Sequence, residues 1–102
     1  MTMPVPYLKF QERYPELAKD FEALGVKCRQ MGPLDERSSH LIKLGIAIAT
    51  GSKGGIKSQA RKAMSEGFTP DEVRHAALLA LPTIGFPSVV AALGWIDEVA
   101  EE

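Results

Sequence analysis

Apolar side chains along this chain recur at steps of three and four, the spacing of one face of an α-helix. In "PELAKDFEALGVKC" the set is Leu17, Phe21, Leu24 and Cys28. Pro15 suits the first turn of that helix, where its missing N–H costs nothing. Cys28 completes the stripe and is expected to be a small core side chain. "GPL" then breaks the pattern, and Asp35 is a good N-cap for the next helix, with Glu36 in its first turn. "HLIKLGIAIAT" is apolar nearly all round, so a helix there is expected to be buried on most sides. A short β-branched strand competes at "IAIA". Length and the upstream cap favour helix.

A further helix is predicted over about residues 53–66, with Ile56, Ala60, Ala63 and Met64 on its apolar face and Gly67 as its stop. "TPDE" follows, and each residue has a part. Thr69 caps, Pro70 fits the first helical position, and Glu72 reaches back to complete a capping box. The helix it opens, "DEVRHAALLALPTIG", is expected to end or kink at Pro82, which removes a backbone donor. A last helix begins near "FPS", with Phe86, Val89, Val90, Leu93 and Ile96 as its stripe. Asp97, Glu98, Glu101 and Glu102 crowd its C-terminal end against the helix dipole, which predicts a fraying tail. No segment alternates convincingly with period two. The fold class is therefore all-α, a compact bundle of five to six helices in a single domain over 1–102. Two of the helices are too apolar to leave a side in water, so subunit association is expected.

Composition narrows the function. The 12 Lys and Arg nearly balance the 13 Asp and Glu, which gives no electrostatic reason to expect nucleic acid or an anionic membrane as partner. One cysteine allows no internal disulfide and no Cys-only metal site. No apolar run approaches the roughly 20 residues that span a bilayer, and "MTMPVPYLKF" lacks a secretory pattern. A cytoplasmic location fits.

The chemistry-bearing stretch is "ATGSKGGIKSQARKAMSEG". Ser52, Gly55 and Gln59 step by three and four and share a helix face at the rim of the core. The first turn of a helix has unpaired N–H groups and a partial positive potential, where an anion can bind. Lys53 and Lys57 add to that field.

The order "PLDE", apolar helix, glycine-bearing helix entrance, "TPDEV", "IGFPSVVAA" resembles the carboxymuconolactone decarboxylase family, which includes the AhpD-like thiol peroxidases. The resemblance covers about residues 34–98. It implies an AhpD-like helical fold and a homotrimer or homohexamer. The peroxidase members carry Cys-x2-Cys-x3-His at the helix entrance, and those positions fall here on Ser52, Gly55 and Gln59. The family's glutamate falls on His40. Every catalytic position that can be placed has changed, so a dithiol redox cycle is not expected.

Two functions of different class are left. One is a cofactor-free lyase, hydrolase or isomerase on a small carboxylate or lactone. In it His40 moves a proton, Gln59 orients the substrate, and Ser52, Lys53, Gly55 and Lys57 hold an oxyanion or carboxylate. The other is a non-catalytic binding or structural oligomer. The blander reading of His40 is a partly exposed side chain bonded to a loop carbonyl. That of His75 is a satisfied structural histidine, and that of Lys53 and Lys57 is solvated charge. Trp95 and Phe86 are expected in the core or an interface. No metal site is expected, because no acidic residue was found at ligand spacing from either histidine.

Overall fold

The computed structural model describes residues 5–102. The elements are α1 (Val5–Arg13), α2 (Pro15–Gln30), α3 (Glu36–Thr50), α4 (Lys53–Ser65), α5 (Pro70–Leu79), α6 (Leu81–Ile84) and α7 (Phe86–Ala100). Six of these are helices of nine residues or more and α6 is a single turn. No strand occurs among the described residues. "IAIA" is helical because it continues a helix already capped upstream: Asp35 accepts the Ser38 N–H at 2.6 Å.

Gly51 ends α3 in the left-handed region, at φ 72°, which a side chain would resist. Ser52 immediately caps α4 by accepting the Gly55 N–H at 3.0 Å. This two-residue turn folds α3 and α4 into an antiparallel hairpin. The capping box of α5 forms as the sequence predicts, with Thr69 Oγ1 accepting from Glu72 N–H and the Glu72 carboxylate accepting from Thr69 N–H. Pro82 lies in the first turn of α6, beyond the end of α5 at Leu79.

The core is where α3, α4, α5 and α7 meet. Leu44, Ile48, Ile56, Val73 and Ile96 are fully buried there, with Ala60, Ala63, Ala77 and Ala92 allowing the helices to approach closely. At roughly 25 cal/mol per Å² of apolar surface removed from water, this cluster is the main source of stability. Trp95 packs at its edge, whereas Phe86 is exposed.

The helix α2 forms with the expected stripe, but its face is not core. Leu17, Phe21 and Leu24 are more than half exposed, and Cys28 is exposed too. Periodicity identifies the face, but nothing among the described residues covers it. The C-terminal end of α7 also differs from expectation. Its carboxylates meet cations across the bundle: Lys57 bonds Glu98 at 3.0 Å, Arg61 Nε bonds Glu102 at 2.9 Å, and Arg74 Nε bonds Asp97 at 2.8 Å. These pairs offset the dipole penalty, and the tail is anchored.

Candidate functional site

The α3–α4 hairpin carries every residue that the sequence marks as a site candidate. Ala47 faces Gly55 near the turn, and a Cβ built on Gly55 would lie 3.6 Å from the Ala47 Cβ. At the open end of the hairpin, His40 Nε2 lies 3.8 Å from Glu66 Oε1. Gln59 falls between these levels. From His40 to Thr50 the chain climbs ten helical residues, about 15 Å at 1.5 Å each. His40 and Ser52 therefore sit at opposite ends of the hairpin and do not share a small ligand.

The helix entrance is largely occupied by its own structure. Ser52 Oγ is engaged in the cap, and Lys57 is tied to Glu98. Lys53 is exposed and has no hydrogen-bond or ion-pair partner among the described residues. Gly55 leaves so little room that an added Cβ would come within 3.0 Å of Ser52 Oγ.

His40 and Gln59 are different. His40 is 8% exposed rather than on the solvent side, and no carbonyl bonds it. Among the described residues, the buried side-chain polar atoms without a hydrogen-bond partner in the protein are His40 Nδ1, His40 Nε2 and Gln59 Oε1. The 3.8 Å approach of Glu66 is too long for a hydrogen bond. An unpartnered buried polar atom costs about 1–3 kcal/mol. In native proteins such groups meet a bound water or ion, or serve a binding or catalytic role. The two residues holding all three atoms are those placed in the catalytic pair by sequence.

Around His40 the structure brings in two carboxylates. Glu36 stands one helical turn before it, and Glu66 caps the end of α4. Ligand atoms of Glu36, His40 and Glu66 all lie within 4.8 Å of one another. Contrary to the expectation from sequence, two acidic residues do stand at ligand spacing from His40. The i, i+4 pair Glu36–His40 was legible in sequence. Glu66 was not, because only the hairpin register brings it near. Arg37 holds this end together, with its guanidinium 4.0 Å over the Phe68 ring and Nη1 donating to the Glu66 carbonyl at 3.4 Å. His75 is exposed on α5 and forms no part of this cluster.

Two grooves open beside α2. One, of about 310 Å³, lies between the end of α2 and the start of α3 and is lined by Arg29, Glu36 and Ser39 among others. The larger, of about 390 Å³, has Phe21, Leu24, Cys28, Leu34, Ile42 and Lys43 in its walls. Neither is lined by Ser52, Gly55 or Gln59. Cys28 therefore faces a groove rather than the core. Burial lowers the pKa of Lys43 from its ordinary value, and the nearby charges of Lys62 and Arg29 add to the effect.

A helical bundle centred on a capped hairpin, with its unsatisfied polar atoms along the hairpin seam, defines a class that the comparisons make specific. The carboxymuconolactone decarboxylase family model matches residues 15–98, and the chain belongs to that family. The apo form of a carboxymuconolactone decarboxylase family protein from Legionella pneumophila has a similar fold, with a TM-score of 0.74. It is 26% identical, over 91% of this chain and 86% of that one. No curated protein matches this chain. The family match begins at Pro15, so it takes in α2 as well as the region that the sequence motifs cover.

Proposed function

We propose that this protein is a non-redox member of the carboxymuconolactone decarboxylase family that takes a small carboxylate or lactone at the α3–α4 seam. The reaction class is lyase or isomerase, with His40 meeting the reacting end of the substrate and Gln59 orienting it through its amide. The observation that carries this is the coincidence of all three unpartnered buried atoms on these two residues. A dithiol cycle has no support, since Ser52 and Gly55 stand where the redox members carry sulfur and Cys28 lies on α2. Lys53, unpaired among the described residues, lies at the helix entrance and is too far from His40 to hold the same small molecule.

The working form is a homo-oligomer. The uncovered faces of Phe21, Ile46, Leu79 and Phe86 support this, because isolated subunits seldom leave such apolar surface in water. Family resemblance favours a trimer or hexamer. No helix among the described residues is long and apolar enough to cross a membrane.

A second reading, a binding or structural oligomer without catalysis, is favoured by the closed helix entrance, where Ser52 and Lys57 are both engaged. NMR against a panel of small carboxylates and lactones separates the two. Catalytic or ligand-binding use of the seam requires saturable shifts of the Gln59 side-chain amide and the His40 ring, and their loss in Gln59→Ala. Silence across the panel leaves the scaffold. Peroxide turnover with a dithiol donor is expected at background. Robust turnover would overturn the non-redox assignment.

A further inference from the structure

The open end of the hairpin gathers donors of a kind that a small carboxylate does not need. Glu36 and His40 are four residues apart on α3, so their side chains rise on the same face. Glu66 comes to meet them from the end of α4. One imidazole nitrogen and two carboxylate oxygens converge, all within 4.8 Å of one another.

Acidic groups on a surface gather often without purpose. His40 separates this cluster from that case. Its ring is nine-tenths buried, both nitrogens lack a hydrogen-bond partner among the described residues, and Nε2 faces Glu66 at 3.8 Å. A buried imidazole beside two carboxylates, with nothing among the described residues donating to it or accepting from it, supplies one ligand of a coordination shell and the carboxylates supply two more.

We infer that Glu36, His40 and Glu66 form a binding site for a divalent first-row metal ion, with Zn²⁺ the best fit. The inference deepens the function proposed above and rests on it only for the seam as the working site. One neutral nitrogen and two anionic oxygens suit a borderline-to-hard dication and match its charge. Bonds of about 2.1 Å at tetrahedral angles put donor atoms about 3.4 Å apart. The His40–Glu66 separation of 3.8 Å is already near that. The remaining closure falls to Glu36 and Glu66, both exposed and free to change rotamer. His40, locked by burial, supplies the fixed point.

The local fields are compatible. Glu66 is the C-cap of α4, so the negative end of that helix faces the ion and opposes the positive start of α3. Arg37 stands beside the cluster, and its guanidinium is held by the Phe68 ring and the Glu66 carbonyl. Three protein ligands leave a coordination position open toward solvent on the carboxylate side, as in metal sites that bind substrate. An ion there would hold the substrate carboxylate. Proton movement by His40 would give way to polarisation by the cation.

The test is calorimetric titration of the chelator-stripped full chain with Zn²⁺, backed by Co²⁺ visible spectroscopy. One ion per chain is expected, with a Co²⁺ spectrum of nitrogen and oxygen ligation. Glu36→Gln and Glu66→Gln, both on the surface, are each expected to weaken binding at least tenfold. Cys28→Ser and His75→Asn are expected to leave it unchanged. Absence of saturable uptake up to millimolar Zn²⁺ overturns the site, as does uptake indifferent to either glutamine variant. Should His40→Gln fail to fold, the two glutamine variants still decide. Carboxylate binding by a chain that takes up no metal sinks the ion alone. Metal uptake by a chain that ignores every carboxylate sinks the substrate proposal alone.

Discussion

Leu44 on α3 and Phe21 on α2 hold equivalent places in their helical patterns, yet Leu44 is 0% exposed and Phe21 is 65% exposed. The difference lies in their surroundings. The hairpin α3–α4 is flanked by α5 and α7, and its apolar residues join one cluster. The arm α1–α2 holds itself together with local contacts such as the Tyr7 hydroxyl donating to Glu22 at 3.0 Å. Its buried residues number one, Ala18. An amphipathic stripe states that something must cover it. It does not state whether the cover comes from the same chain.

Substitutions on the two sides probe this difference directly. Leu44→Ala removes a fully buried side chain and is expected to cost about 3 kcal/mol in denaturant unfolding. A cost below about 1 kcal/mol would mean that the body is looser than its burial indicates. Phe21→Asp is expected to leave the fold of an isolated subunit intact but to lower the mass seen by light scattering. An unchanged mass would remove α2 from the subunit interface and erase the contrast in function. Thr69→Ala removes the cap that starts α5 and is expected to cost about 1 kcal/mol, an effect confined to the body.

The smallest effect concerns acid. The hydrogen bond from Arg61 holds the Glu102 carboxyl below its ordinary value of 4.5, with the Arg61 and Lys57 charges assisting. Because the folded value is depressed, the stabilisation is complete above pH 4.5 and fades as pH falls through the folded value. Amide resonances at the end of α7 are expected to loosen in that window before those of α3. Glu102→Gln is expected to abolish the step. If the α1–α2 arm melts in the same step, the two regions are more tightly coupled than their contacts suggest.

Much of the body was legible along the chain. The Thr69–Glu72 capping box, the Asp35 cap and the Gly67 stop are local arrangements of neighbouring residues, and each formed as the sequence implies. The anchored tail was not legible, because Lys57, Arg61 and Arg74 reach Glu98, Glu102 and Asp97 from other helices. Cys28 departs from expectation for the same reason: spacing fixes its face but not its neighbour. The candidate site divides in the same way. His40 and Gln59 could be named from sequence, and Glu36 could have been. Glu66 needed the hairpin.

The narrow space over Gly55 restricts how this helix start can change. A side chain gained at 55 pushes on the hydroxyl that seats the first turn of α4, which must give by a few tenths of an ångström. A side chain gained at 55 therefore requires Ser52 to be loosened or replaced first. The order of substitutions at this turn is thereby constrained, since any single change at 55 starts with a strained cap.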